Sequence, residues 1–161
     1  MERRILIFRL LIILCFFYNF STSAQEIVKG QAKIIDGDTV HIGKNKIRLH
    51  GIDAPEINQT CIIDGELWNC GIESKMALKK LISKKEINCE ILDVDQYKRY
   101  VAECLVNNIN INKYMVQYGW AIAYRYYSLK FVEDEEKAKK QKLGIWKSAF
   151  IEPYLFRKEN K

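Results

Sequence analysis

The sequence predicts a mainly β domain with packed helices, of the α+β class, built as a small barrel of five strands with three helices. Two observations predict it. Five short runs rich in β-branched and aromatic residues are bounded by Gly, Asp and Asn turn signals, and stretches of helical spacing fall between and after them. No repeat, low-complexity tract or proline-rich linker interrupts the series.

At the N-terminus, Arg3 and Arg4 precede an apolar run from Leu10 to Phe17 and then the small residues Ser21, Thr22, Ser23 and Ala24. This is the layout of a secretory signal peptide over residues 1–24, with Thr22 and Ala24 at the cleavage site and Gln25 as the new N-terminus. A retained membrane anchor is the alternative, but the run falls short of the roughly 20 apolar residues a spanning helix needs. The chain is therefore expected to be exported, periplasmic or secreted, without stable membrane association after cleavage. Residues 25–161 have a single-domain length with room for one modest core.

The first strands are expected at Gln31–Ile35, Thr39–Ile42 and Lys46–Leu49, separated by the turn signals Asp36-Gly37 and Gly43-Lys44-Asn45. From Gly71 to Lys85 the spacing becomes helical, and the stripe Ile72, Met76, Ala77, Leu81 and Ile82 reads as its core face. Two more strands follow, Ile87–Leu92 and Tyr100–Val106, around the polar turn Asp93 to Arg99. A short helix over about Asn112 to Tyr118 ends at Gly119, which suits a C-cap. Trp120 to Tyr127 reads as aromatic and extended, and Ser128 as the cap of a final charged helix reaching Leu143 and Gly144.

Of the five cysteines, Cys15 leaves with the leader, so Cys61, Cys70, Cys89 and Cys104 remain in a chain bound for an oxidising compartment. Four cysteines allow three pairings. Local geometry favours Cys61 with Cys70 in one loop and Cys89 with Cys104 across neighbouring strands. A zinc site is disfavoured, because no two cysteines are closely spaced and only His41 and His50 are available to help. The formal charge is +6, of which the leader carries three arginines and one glutamate, so the remainder stays mildly basic and suits a polyanionic partner.

Two motifs carry the chemistry: Ile35-Asp36-Gly37-Asp38-Thr39-Val40, and Ile47-Arg48-Leu49-His50-Gly51-Ile52-Asp53-Ala54-Pro55-Glu56. Cutting a phosphodiester at neutral pH needs neutralisation of the phosphate, a positioned water, and donors for the charge of a five-coordinate transition state. Asp38 and Asp53, brought together by adjacent strands, are hard oxygen ligands that suit calcium rather than zinc. Glu56, behind the stiff Pro55, is placed to take a proton from a water near the same metal. Arg48 and Arg99 offer two planar guanidinium forks from different sides of a phosphate. Asp36 with Gly37 reads as a turn.

The two motifs, in this order and spacing, resemble the staphylococcal-nuclease (thermonuclease) family. The likeness continues through Asp95-Gln96-Tyr97-Lys98-Arg99, Gly119-Trp120-Ala121, Ala123-Tyr124-Arg125-Tyr126 and Lys142-Leu143-Gly144-Ile145-Trp146, and so covers about residues 29–147. The resemblance implies an OB-fold barrel, a calcium-dependent endonuclease acting on DNA and/or RNA, and a monomer. It implies catalytic roles for Arg48, Glu56 and Arg99, and calcium held by Asp38, Asp53 and the carbonyl of Ala54. Tyr97 and Tyr124 match phosphate contacts and Tyr126 a neighbour of the base; packing in the core or on a strand face is the plainer reading of each tyrosine. The Cys61 and Cys70 pair looks like the variant found in exported bacterial relatives.

Two positions depart from the family pattern. Gln96 stands where a lysine helps hold a phosphate, and Lys98 stands where glycine precedes the arginine. A glycine takes positive φ at little cost and a lysine does not, so the turn carrying Arg99 is expected to follow a different path. An OB-fold that binds nucleic acid without cutting it is one other reading, and the intact set Asp38, Arg48, Asp53, Glu56 and Arg99 argues against it; a non-catalytic surface or structural protein is the other, which an absence of nucleic-acid binding at low salt would favour. The tail 148–161, with Pro153, Tyr154 and Phe156, is expected to pack back on the body and has no assigned work.

Overall fold

A computed structural model describes residues 25–160. The proposed leader cleavage at Ala24, and Cys15 within the leader, lie outside the described residues. Five strands form a closed barrel: β1 (Ile27–Ile34), β2 (Thr39–Ile42), β3 (Asn45–Leu49), and, after an intervening helix, Glu86–Val94 and Tyr100–Val106. Neighbours pair antiparallel except for the closing seam, where β3 runs parallel to Tyr100–Val106 with Ile47 opposite Tyr100 and Leu49 opposite Ala102. Closure removes the sheet edges and is the expected OB-type, mixed α+β architecture.

Between β3 and the fourth barrel strand lie β4 (Ile52–Asp53), the hairpin β5 (Cys61–Ile63) and β6 (Glu66–Trp68), and helix α1 (Cys70–Ile82). In chain order the remaining strands are β7 (Glu86–Val94), β8 (Tyr100–Val106), β9 (Ile109–Asn110) and β10 (Ile122–Ala123), the last pairing with β4. The helices α2 (Ile111–Gln117), α3 (Val132–Lys140) and α4 (Pro153–Glu159) complete the order. Three of the four α-helices among the described residues are the expected ones; α4 forms in the tail, starting on Pro153 at its first turn. No helix among the described residues is long and apolar enough to cross a membrane.

The barrel encloses Val40, Ile47, Leu49, Ile87, Ala102 and Val106, and the helices close it with Leu78, Ile82, Met115, Val116 and Phe131. Each of these side chains larger than alanine contributes on the order of 1.5–3 kcal/mol by leaving water. Asn112 is fully buried and satisfied at three points: its Oδ1 accepts the Cys104 N–H at 3.0 Å and its Nδ2 donates to the carbonyls of His50 at 2.9 Å and Ala102 at 3.1 Å. It thereby pins the start of the segment that carries Asp53.

Helix α1 corrects the expected core stripe. Ile72 and Met76 are exposed, and the buried face is Gly71, Ser74, Leu78 and Ile82. The cause is close approach. A Cβ on Gly71 would sit 1.7 Å from the carbonyl oxygen of Glu56, and the Ser74 hydroxyl donates to the Trp120 carbonyl at 2.7 Å. Small residues therefore face inward where the backbone of the second motif lies against the helix.

Two further expectations shift. Only Ile122 and Ala123 of the segment 120–127 are strand; at Tyr124 the chain turns, with the Tyr127 N–H donating to the Tyr124 carbonyl at 3.0 Å. The charged helix begins at Val132 rather than at Ser128, whose hydroxyl accepts the Lys130 N–H in a turn. Both expected disulfides form. Cys61–Cys70 ties the hairpin to the start of α1, and Cys89–Cys104 joins directly opposed residues of β7 and β8.

Candidate active site

The hairpin of β2 and β3 sets Thr39 opposite Arg48, which brings the Arg48 guanidinium over the preceding residue, Asp38. Arg48 spends both terminal nitrogens on carboxylates: Nη1 donates to Asp38 Oδ1 at 2.8 Å and Nη2 to Asp53 Oδ1 at 2.7 Å. The second oxygen of Asp38 accepts the Ala54 N–H at 2.8 Å, so the two sequence motifs are stitched together through one side chain. The Asp38 and Asp53 carboxylates are almost entirely shielded from solvent, at 3% and 0% exposure.

Glu56 follows on a loop held by Gln59. The Glu56 N–H donates to the Gln59 side-chain oxygen at 3.2 Å, and the Gln59 N–H donates to the Glu56 carbonyl at 2.8 Å. The Asp36 side chain accepts the Asp38 N–H at 3.0 Å, which makes the expected turn. Burial, and then the neighbouring Asp38, push the Asp36 carboxyl up to about 7. Burial likewise raises the Asp53 carboxyl despite the guanidinium groups beside it, and Asp38 adds to the rise.

The turn before β8 keeps the conformation that glycine would favour, although lysine stands there: Lys98 has φ 60°. Lys98 therefore takes the positive φ that is costly for a lysine. Asp95 holds the turn, its Oδ1 accepting the N–H groups of Tyr97 and Arg99 at 2.9 Å each. Arg99 also donates through Nε to Asp95 Oδ2 at 2.7 Å, and its guanidinium lies 5.4 Å from the centre of the Tyr97 ring.

A cavity of about 690 Å³ opens between these elements, and Arg48, Glu56, Tyr97, Arg99 and Tyr124 all reach its wall. Gln96, at the position of the family lysine, is on the same wall. Tyr124 is tied beside Asp53 through its N–H, which donates to the Gly51 carbonyl at 2.9 Å. Tyr126 is 83% exposed and lines a neighbouring cavity instead; its ring centre is 6.3 Å from that of Tyr124. The cysteines are disulfide-bonded and take no part.

Sequence reasoning missed the C-terminal helix. Tyr154, Arg157 and Lys158 of α4 line the same cavity, as do Lys46 and Tyr127. Arg157 donates through Nη1 to Asp53 Oδ1 at 2.8 Å and to Glu56 Oε1 at 2.9 Å, and through Nη2 to Asp53 Oδ2 at 3.1 Å. Pro153 at a helix start, followed by an aromatic residue and then a base three positions on, was the available signal.

The donor set fits a hard divalent cation. Asp38 and Asp53 converge closely enough for a single guanidinium to bridge them, and the Ala54 backbone sits against Asp38. Among the described residues no cluster of three or more His, Cys, Asp or Glu side chains is arranged to hold a metal, so two carboxylates would be completed by carbonyl and water oxygens.

Comparison with known proteins places this geometry. The model of the family described as "Staphylococcal nuclease homologue" matches residues 46–148. A protein of Rhizobium meliloti (strain 1021), "Succinoglycan biosynthesis protein ExoI", is 33% identical over 130 residues, 78% of this chain and 68% of its own length. The "Micrococcal nuclease" of Shigella flexneri is 31% identical over 147 residues, 80% of this chain and 79% of its own. The rice protein "Probable staphylococcal-like nuclease CAN3" (Oryza sativa subsp. japonica) is 34% identical over 127 residues, 77% of this chain and 31% of its own, so the chain spans about a third of that relative.

Proposed function

The chain belongs to the family of staphylococcal nuclease homologues, and from that premise we propose that it is a calcium-dependent endonuclease hydrolysing phosphodiester bonds of DNA and/or RNA. The observation that carries this reading is the Arg48 guanidinium bridging the buried Asp38 and Asp53 carboxylates just behind a cavity whose wall holds Arg48, Glu56 and Arg99. Residues 25–161 act as one exported domain, periplasmic or secreted, behind a leader removed after Ala24. The two disulfides support export. The working form is a monomer.

Calcium would be held by Asp38, Asp53 and the Ala54 carbonyl with water, where it would neutralise the phosphate and favour charge build-up on its oxygens. The chain's own groups do the rest. Glu56 takes the proton of the attacking water, since its carboxylate faces the cavity and its backbone is fixed by Gln59. Arg99, braced by Asp95, and Arg48 donate to the phosphoryl oxygens as charge grows in the transition state. Tyr97 and Tyr124 contact the phosphate backbone, and the more exposed Tyr126 meets a base by stacking.

The test incubates purified oxidised protein with DNA and with RNA, in calcium or in excess chelator. Calcium-supported cleavage, abolished by chelator and by Asp38→Ala with the fold retained, is the expected result. Full activity in chelator overturns the calcium reading, and binding without cleavage leaves the chain a nucleic-acid-binding module.

A further inference from the structure

We propose that Arg157 is a built-in counter-cation, which a divalent metal ion must displace from Asp53 in order to bind. The inference rests on the calcium reading above and adds the regulation of that same site. Arg157 lies outside the family-matched residues 46–148, and nothing in the comparisons gives it work.

Every oxygen of the two ligand carboxylates is already engaged. Asp38 accepts from Arg48, Thr39 and the Ala54 N–H, and Asp53 accepts from Arg48 on one oxygen and from Arg157 on both. Calcium needs carboxylate oxygens at about 2.3–2.6 Å, inside the space these guanidinium nitrogens fill. The carboxylates are also screened from the cavity: Asp53 has no exposed side-chain surface, whereas Arg48 and Arg157 both reach the wall in front of it. A cation entering from the cavity therefore meets an arginine first.

Arg157 is the one that gives way. Arg48 projects from β3, which is paired on both sides within the closed barrel. Arg157 projects from a seven-residue helix near the chain end, anchored by the buried Pro153 and by Gln59 Nε2 donating to the Ile151 carbonyl at 2.6 Å. The bond from Nη1 to Glu56 gives the guanidinium a second partner close by when Asp53 is taken. Before metal arrives, Arg157 offsets the charge of Asp53 and Glu56, a pair of carboxylates that would otherwise repel at the bottom of the site.

The experiment is calcium binding without nucleic acid, by titration calorimetry on the intact protein, comparing the natural residue with Arg157→Gln and Arg157→Lys. A ligand that must wait for a minority open state loses affinity by the fraction of time that state is populated, so Arg157→Gln should bind calcium on the order of tenfold more tightly or better. Arg157→Lys, which keeps the charge, should lie nearer the natural protein. Equal or weaker calcium affinity in a folded Arg157→Gln protein overturns the proposal and leaves the calcium reading standing. Calcium binding to neither protein overturns both. Should Arg157→Gln fail to fold, hydrogen exchange on the natural protein decides: saturating calcium should speed exchange in 153–159, and unchanged exchange there overturns the displacement.

Discussion

Asp95 holds Arg99 at both ends, accepting its backbone N–H through Oδ1 and its guanidinium Nε through Oδ2. The grip fixes the turn and aims the side chain at the cavity together. Asp95→Ala should therefore lower kcat by about 10- to 100-fold, the scale of an ångström-size misplacement, with a stability loss of only about 1–2 kcal/mol. Steady-state kinetics beside urea denaturation separate the two; a change in stability with kcat intact would mean that Asp95 serves the turn alone.

Lys98 sits in the left-handed region at φ 60°, where a side chain costs about 1–2 kcal/mol that glycine avoids. Glycine loses part of that gain through the freedom of the unfolded chain, leaving a net stabilisation of about 0.5–1 kcal/mol for Lys98→Gly. The turn path already matches the glycine conformation, so kcat should change little. A drop in melting temperature would show that the lysine side chain makes a contact of value there.

The site was legible in the sequence where its contacts are short in range. Asp38 immediately precedes β2 and Arg48 lies on β3 of the same hairpin, and Asp53, Ala54 and Glu56 follow within a few residues, so spacing and residue type were enough to bring them together. Arg157 reaches Asp53 across 104 residues, and no local pattern encodes that distance. Helix α1 misled for a different reason. Periodicity ranks Ile72 and Met76 as core, but the helix packs through Gly71 against the Glu56 backbone and through Ser74 against Gly37 and the Trp120 carbonyl, and smallness at a close approach leaves no hydrophobic signal.

The Cys89–Cys104 bond closes a loop with a sequence separation of 15 across the β7–β8 pair. The loop-entropy estimate for that length is about 3 kcal/mol. Reduction should lower the melting temperature by several degrees. Because no cysteine or methionine among the described residues lines the cavity, the reduced protein should keep its kcat at temperatures where it remains folded; inactivation ahead of unfolding would contradict this.

Glu135 is buried and ties α3 to β10: it accepts the Ala123 N–H at 3.0 Å, Arg125 at 2.6 Å and Lys139 at 2.9 Å. Burial alone would raise its carboxyl, but these donors outweigh it and hold it below the ordinary 4.5. A depressed carboxyl stabilises the fold above its unfolded value, and that contribution fades as pH falls through the lower folded one. Glu135→Gln should thus cost about 1–3 kcal/mol at pH 7, with the gap narrowing toward pH 3. Denaturation curves at both values check it, and a gap independent of pH would refute the charge account.

Arg48 offers the sharpest test of chemistry against architecture, because its guanidinium both faces the cavity and bridges the two buried carboxylates. An arginine that only attracted a polyanion would, as lysine, change binding and its salt dependence and leave kcat nearly alone. Lysine keeps the charge but has one ammonium where the bridge needs two nitrogens spaced across a plane, so one carboxylate of the pair must lose its bond from residue 48 and keep only its other donors. Arg48→Lys should accordingly destabilise the metal-free protein by about 1–3 kcal/mol. It should also cost on the order of 100-fold or more in kcat, by analogy with removing one preorganised donor from a charged transition state. Calcium should offset much of the stability loss, since a cation at Asp38 and Asp53 replaces the missing donor, but it should not restore kcat, which needs the fork on the phosphate. A rescue of both by calcium would assign Arg48 to holding the carboxylates and remove it from the transition state.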